Sequence, residues 1–201
     1  IQAHISSLKN QRILPGEAVE FAQSFFDVKV AEIYSSYQKK LMLANSMDFD
    51  DLLIKAVELL ETSDKSLNYW SSKFQYIMID EYQDTNMVQY RLVELLASKH
   101  KNICVVGDSD QSIYAFRGAD IRNIEEFESD FKDAKVISLE KNYRSSQKIL
   151  DIANAVISNN PRKKDKKLWT DNDEGLDVNL VEFNSERDES RWIAEQINLS
   201  L

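Results

Sequence analysis

Two short apolar runs, each closed by a polar cluster, constrain this chain more than any other feature. Phe74 to Ile79 is a β-type run ending in Asp80-Glu81, and Ile103 to Val106 is a second ending in Gly107-Asp108. Between them Asn86 to Ser98 reads as a helix, with Val88, Leu92, Leu95 and Leu96 on one side. Strand, helix and strand with short connections predict an α/β fold, a parallel sheet covered by helices. In such sheets ligands bind outside the carboxyl ends of the strands, where both polar clusters stand.

The flanking sequence extends this pattern. Pro15-Gly16 punctuates the start, and Val19, Ala22, Phe26, Val30, Ile33, Tyr37 and Leu41 lay an apolar stripe along a helix expected from about Glu17 to Asn45. Asp48 is a good N-cap for a second helix carrying Phe49, Leu52, Leu53, Ala56, Leu59 and Leu60. Lys135 to Leu139 reads as a third strand and Ser146 to Asn159 as a helix, with a softer boundary near residue 140. A basic loop from Pro161 to Lys167, a strand at Val178 to Phe183 and a last helix capped by Ser185 complete the reading.

Composition narrows the class. The 201 residues are 43% hydrophobic, enough for a real core. The longest apolar runs fall far short of the roughly 20 residues that cross a bilayer. The first residues, Ile-Gln-Ala-His, show no leader pattern and no initiating Met, so the expectation is an excised piece of a soluble, cytoplasmic protein with no membrane partner. The single cysteine, Cys104, lies in an apolar run and is expected to be a buried free thiol. His4 and His100 stand apart, which excludes a Cys/His metal site. A net charge of −9 does not exclude nucleic acid, because a local groove decides binding rather than the whole-chain sum.

Three motifs can carry chemistry. In Ile79-Asp80-Glu81-Tyr82-Gln83-Asp84-Thr85-Asn86, adjacent carboxylates at a strand end can divide labour, one holding a hydrated Mg²⁺ and one activating water. A solvated acidic turn reads the same way. In Gly107-Asp108-Ser109-Asp110-Gln111-Ser112-Ile113-Tyr114-Ala115-Phe116-Arg117-Gly118-Ala119, Gln111 can donate to a phosphate oxygen, and Tyr114, Phe116 and Arg117 are the materials of a single-strand stacking platform. Aromatics two apart are also ordinary core. In Leu139-Glu140-Lys141-Asn142-Tyr143-Arg144-Ser145-Ser146, Arg144 can meet a transferring phosphoryl group, or pair with a surface acid.

With Met47-Asp48-Phe49-Asp50-Asp51-Leu52-Leu53 as a fourth block, the order D-E-Y-Q-D-T-N, G-D-S-D-Q-S-I-Y-x-F-R-G-A-D and L-E-K-N-Y-R-S-S closely resembles superfamily I DNA helicases of the UvrD/Rep/PcrA group. The resemblance runs from about Asp48 to Trp169 and more loosely to both ends. It implies a partial P-loop NTPase (RecA-like) parallel sheet with flanking helices, preceded by helices of an inserted subdomain. The implied organisation is the end of that subdomain at 1–47, the second half of the first motor domain at 48–140 and the start of the second motor domain at 141–201. It implies ATP and Mg²⁺ as cofactors, with Asp80 associated with the metal, Glu81 as catalytic base and Gln111 sensing the γ-phosphate. Tyr143 would stack on adenine, Arg144 would contact the γ-phosphate, and Tyr114, Phe116 and Arg117 would meet DNA. Most family members carry Trp where this chain has Phe116. The implied activity is ATP-driven movement along single-stranded DNA and duplex unwinding, 3′ to 5′ by family analogy. Its partners would be single-stranded DNA, duplex junctions and proteins of repair, replication or transcription.

The four glycines, Gly16, Gly107, Gly118 and Gly175, offer no G-x-x-x-x-G-K-[ST] loop. By the resemblance that loop lies upstream and the later motifs downstream, so the chain by itself is expected to bind nucleotide weakly and hydrolyse it negligibly. Three rival readings are a DNA-binding or docking module that does not hydrolyse, a helicase–nuclease subunit, and a free-standing nucleic-acid patch at Arg162 to Lys167. Retention of Asp80, Glu81, Gln111 and Arg144 together argues against the first.

Overall fold

In the computed structural model, residues 1–125, 127–160 and 166–200 are described, and Arg117 by its backbone alone. The chain forms two units, Ile1–Lys135 and Val136–Leu201. In the first, α1 (Gln2–Asn10), α2 (Phe25–Leu43), α3 (Phe49–Thr62) and α4 (Asp64–Lys73) precede β1 (Ile77–Ile79), α5 (Met87–Ala97), β2 (Ile103–Val105) and the short helices α6 (Arg122–Glu125) and α7 (Phe127–Asp130). The expected α/β class holds: β1 and β2 pair in parallel, with Ile77 opposite Ile103, Met78 opposite Cys104 and Ile79 opposite Val105.

Caps set the helix starts. Asp48 accepts from the Asp51 N–H at 2.9 Å while the Asp51 carboxylate accepts from the Asp48 N–H at 3.3 Å. Asn86 and Gln89 make the same reciprocal pair at the start of α5. The expected helix from Glu17 is shorter: residues 15–21 form turns, and Ser24, whose Oγ accepts from the Asp27 N–H, starts α2 at Phe25. That local cap outcompetes the upstream stripe. Helices α1 and α4 lie outside the expected elements. One core gathers Ile5, Ala18, Val30, Ala31 and Tyr34, and a second joins α3 to α5 through Val57, Leu60, Val88 and Leu95.

Cys104 is not buried, contrary to expectation. Successive strand residues face opposite sides; Ile77, Ile79, Ile103 and Val105 are half-buried, while Met78 and its register partner Cys104 stand on the exposed face.

The second unit contains α8 (Gln147–Ile157) and α9 (Glu186–Ser200), the latter begun by Ser185, whose Oγ accepts from the Asp188 N–H. The strands expected at Lys135 to Leu139 and Val178 to Phe183 do not form. Their apolar residues have a strand's composition, but a strand exists only with a paired neighbour. Among the described residues of this unit, the one strand-like pairing is a single bridge between Lys141 and Trp169.

The charged group that ties the first unit together is Lys9. It is 1% exposed, and its Nζ donates to Asp48 Oδ2 and Asp51 Oδ1, both at 2.7 Å. Burial pushes the Asp48 carboxyl up, but hydrogen bonds from Lys9, the Asp51 amide and Tyr37 outweigh it and leave the group below its ordinary value. A depressed carboxyl contributes stability that is present above the ordinary carboxylate range and is lost as pH falls through the depressed value. Lys9→Met strands Asp51 in the interior and should cost about 3–5 kcal/mol in urea unfolding at pH 7. Lys9 is also a partner that holds the Asp48 carboxyl below its ordinary value, so the gap from the wild type should narrow as pH falls from the ordinary carboxylate range through that depressed value; a constant gap would show that Asp48 does not carry the pH-dependent part.

Candidate functional site

The parallel register sets the ends of β1 and β2 side by side, and backbone bonds carry the pairing past both strands. Val106 N–H donates to Ile79 O at 2.8 Å, and Tyr82 N–H donates back to Val106 O at 3.0 Å. Asp80 and Glu81 occupy the turn between these bonds, both exposed. Asp80 Oδ1 accepts from the Glu81 N–H at 2.9 Å. Glu81 adopts φ +50° and ψ 42°, the left-handed region, which a residue with a Cβ enters at a cost. Tyr82 is fully buried and packs edge-on against Phe127 with ring centroids 5.6 Å apart. Burial pushes its phenol far above the ordinary value, so it stays neutral and acts by packing.

Gln83 joins the two motif loops. Its Nε2 donates to Glu81 Oε2 at 2.7 Å, and its Oε1 accepts from the Asp108 N–H at 2.9 Å. Asp108 Oδ2 in turn accepts from Gln111 Nε2 at 2.9 Å, and Ser112 Oγ donates to Gln83 O at 3.2 Å. A second tie lies further on: Thr85 O accepts from Asp120 N–H at 2.9 Å and from Asn123 Nδ2 at 3.0 Å. Asp80, Glu81 and Gln111 therefore belong to one hydrogen-bonded assembly at the carboxyl edge of the sheet. The sequence named those three, but not Gln83, Asp108 or Asn123. The signal for Gln83 was its place between the acid pair and the helix cap, and nothing local reveals what an amide there will touch.

The aromatics stand beyond this assembly. Phe116 is 79% exposed, Tyr114 is partly exposed, and their rings lie 5.8 Å apart at 44°. The ordinary core reading of the pair thus fails for Phe116. The Arg117 side chain lies outside the described residues, as do residues 162–165 of the basic run.

In the second unit, Asn142 Oδ1 accepts from the N–H groups of Arg144 at 2.9 Å and Ser145 at 2.7 Å, a side-chain turn that holds Tyr143 and Arg144 outward. Tyr143 is 79% exposed, and Lys141 Nζ lies 5.3 Å from its ring centroid and 5.1 Å from that of Trp169. The start of α8 is capped by backbone carbonyls: Gln147 N–H donates to Asp173 O and Lys148 N–H to Glu174 O. Gly175 follows at φ +78°, where a Cβ would fall 2.3 Å from Ser146 Oγ, so only glycine fits.

The donor chemistry fits Mg²⁺ in one way only. Among the described residues no group of three or more His, Cys, Asp or Glu side chains could hold a metal. An exposed Asp80 suits an ion that keeps most of its shell as water and phosphate oxygens.

Residues 1–132 match the family model of the UvrD/REP helicase N-terminal domain, and residues 137–201 that of the UvrD-like helicase C-terminal domain. Curated relatives include the ATP-dependent DNA helicase PcrA of Staphylococcus aureus (strain NCTC 8325 / PS 47) and that of Staphylococcus epidermidis (strain ATCC 12228). Each is 50% identical over 193 residues, which covers 96% of this chain and 26% of the relative. The chain belongs to the UvrD/REP helicase family, which implies a RecA-like fold for its parallel strands and flanking helices. It spans about a quarter of the length of the relatives it matches.

The backbone at Glu81 supplies a test of the site's strain. Glu81→Gly and Glu81→Ala both delete the carboxylate, so their difference isolates the left-handed conformation. The glycine variant should be the more stable by about 1 kcal/mol in chemical denaturation; equal stabilities would mean that the turn relaxes freely.

Proposed function

We propose that this chain is part of the motor of an ATP-dependent DNA helicase and translocase that moves 3′ to 5′ along single-stranded DNA. The observation that carries the reading is the hydrogen-bonded assembly of Glu81, Gln83, Asp108 and Gln111 at the carboxyl edge of a parallel sheet, in a chain of the UvrD/REP family. Glu81 orients and deprotonates the attacking water with an exposed carboxylate at a fixed turn. Asp80 would hold Mg²⁺, which would supply neutralising charge for the phosphates. Gln111 donates an uncharged hydrogen bond toward the γ-phosphate and Arg144 a charged one, while Tyr143 offers its open ring to adenine. Tyr114, Phe116 and Arg117 take the single strand. The inserted helical subdomain ends at 1–47, the first motor domain's second half occupies 48–140, and the second motor domain begins at 141. The whole protein works in the cytoplasm on single strands and duplex junctions, with repair, replication or transcription proteins as its protein partners. Lacking a G-x-x-x-x-G-K-[ST] loop, these residues alone turn over ATP negligibly.

Hydrolysis by the full-length protein, with and without single-stranded DNA, tests the reading. Strong stimulation by DNA is expected, together with a loss of roughly a hundredfold or more in Glu81→Gln while nucleotide binding persists. An unaltered turnover in that variant would remove Glu81 as the base, and no hydrolysis at all would leave a DNA-binding module.

The aromatic platform has its own expectation. Base stacking contributes about 1–3 kcal/mol per base, so Phe116→Ala should weaken single-stranded DNA binding roughly fivefold or more. Phe116→Trp, with the larger ring, should tighten it. Fluorescence anisotropy with an oligothymidine reads both, and an unchanged affinity in the alanine variant would take Phe116 off the DNA path.

A further inference from the structure

Gln83 is 1% exposed, an unusual position for an amide only two residues from an exposed acid. Its orientation is fixed by its neighbours. The Asp108 backbone N–H can only donate and the Glu81 carboxylate only accepts, so Oε1 must face the first and Nε2 the second. Among natural side chains of this length, only an uncharged amide presents both groups. A glutamate here would set two acids against each other, and a leucine would leave the Asp108 N–H without its acceptor. The space is also shaped to the amide. A Cβ at Gly107 would fall 2.5 Å from Gln83 Oε1 and 2.8 Å from Ile124 Cδ1, so the glycine is the gap the amide fills.

The consequence falls on Glu81. Among the described residues, Gln83 is the one hydrogen-bond partner of the Glu81 carboxylate, and it engages Oε2, leaving Oε1 for a water. The same amide grips the backbone of Asp108, whose carboxylate holds Gln111. We infer that Gln83 is a positioning residue that fixes the Glu81 carboxylate and locks it to the Asp108–Gln111 loop, so that the base and the γ-phosphate-facing amide take their orientations together. This rests on the helicase reading above and deepens it. A movement of the Gln111 loop reaches Glu81 through one buried side chain, which gives DNA engagement a short route to the hydrolytic group.

The test uses the full-length protein and Gln83→Leu, which keeps the volume and deletes both bonds. DNA-stimulated kcat should fall roughly tenfold or more, as a misplaced catalytic group does, with KM for ATP within about twofold. In a Glu81→Gln background the same change should have no further effect on residual turnover, because Gln83 acts through the carboxylate already removed. Hydrogen–deuterium exchange in the nucleotide-free protein supplies a readout that does not depend on turnover. The Gly107–Ser112 segment should exchange faster in Gln83→Leu while β1 and β2 keep their protection. Should Gln83→Leu fail to fold, Gly107→Ala displaces the amide while keeping every polar group, and should lower kcat at unchanged nucleotide affinity. An unchanged kcat, or losses that add in the double variant, would overturn the inference. Absence of DNA-stimulated hydrolysis in the wild type would instead overturn the helicase reading, so the two failures are distinguishable.

Discussion

The parallel pairing of Ile77–Ile79 with Ile103–Val105 is short, yet the chemistry of the first unit depends on it. Because the strands run the same way, both deliver their carboxyl ends to one edge, and residues 24 or more positions apart in sequence meet there. An antiparallel pairing of the same segments would place Asp80 and Gly107 at opposite edges. The ladder then continues through Val106 and Tyr82, which brings the two loops close enough for a side chain to replace backbone as the connector. Gln83 is that connector, and the left-handed turn at Glu81 follows from it: the chain must reverse within two residues to bury Tyr82 and Gln83 while leaving Glu81 outside. Such strain persists only where surrounding contacts outweigh it.

Helix α1 serves the same edge from outside. Lys9 joins the cap of α3, and Asn10 Oδ1 accepts from Asn86 Nδ2, the cap of α5, at 2.7 Å. Gly118, at φ +87°, lies where a Cβ would come 3.2 Å from Asn10 Cβ. One turn of α1 thus touches the starts of two helices and the loop carrying the exposed aromatics. The buried ion cluster is not by itself a source of net stability, since desolvation of Lys9 and Asp51 opposes their attraction. What it secures is register, because a slipped helix would leave a lysine or an aspartate unpaired in the interior.

What was legible in the sequence was whatever local rules decide. Asp48 and Ser185 announced their helices because a cap acts within three residues, and the apolar runs ending in acids located β1 and β2. The start of α2 was misplaced because an apolar stripe says which face is buried but not where the helix begins. The two strands expected in the second unit failed for the converse reason: Val136, Ile137, Leu139, Val178 and Leu180 are all exposed, and pairing is a property of two segments, not one. At the site, Asp80, Glu81 and Gln111 could be named from chemistry and from resemblance. Gln83 could not, because its importance lies in touching a backbone N–H 25 residues away.

Exposure alone does not select Phe116 as a DNA contact, since Phe25, Phe49 and Tyr76 are comparably open. Position separates them. Phe116 lies in the segment that begins at the end of β2, shares that segment with Gln111, and has a second aromatic 5.8 Å away. On the proposed reading, an exposed ring in the Gln111 segment would convert a shift of that segment into a shift of a stacked base, which an equally exposed ring on α2 or α3 could not. The acidic balance of the chain does not decide the matter, because the local surface rather than the whole-chain sum sets binding.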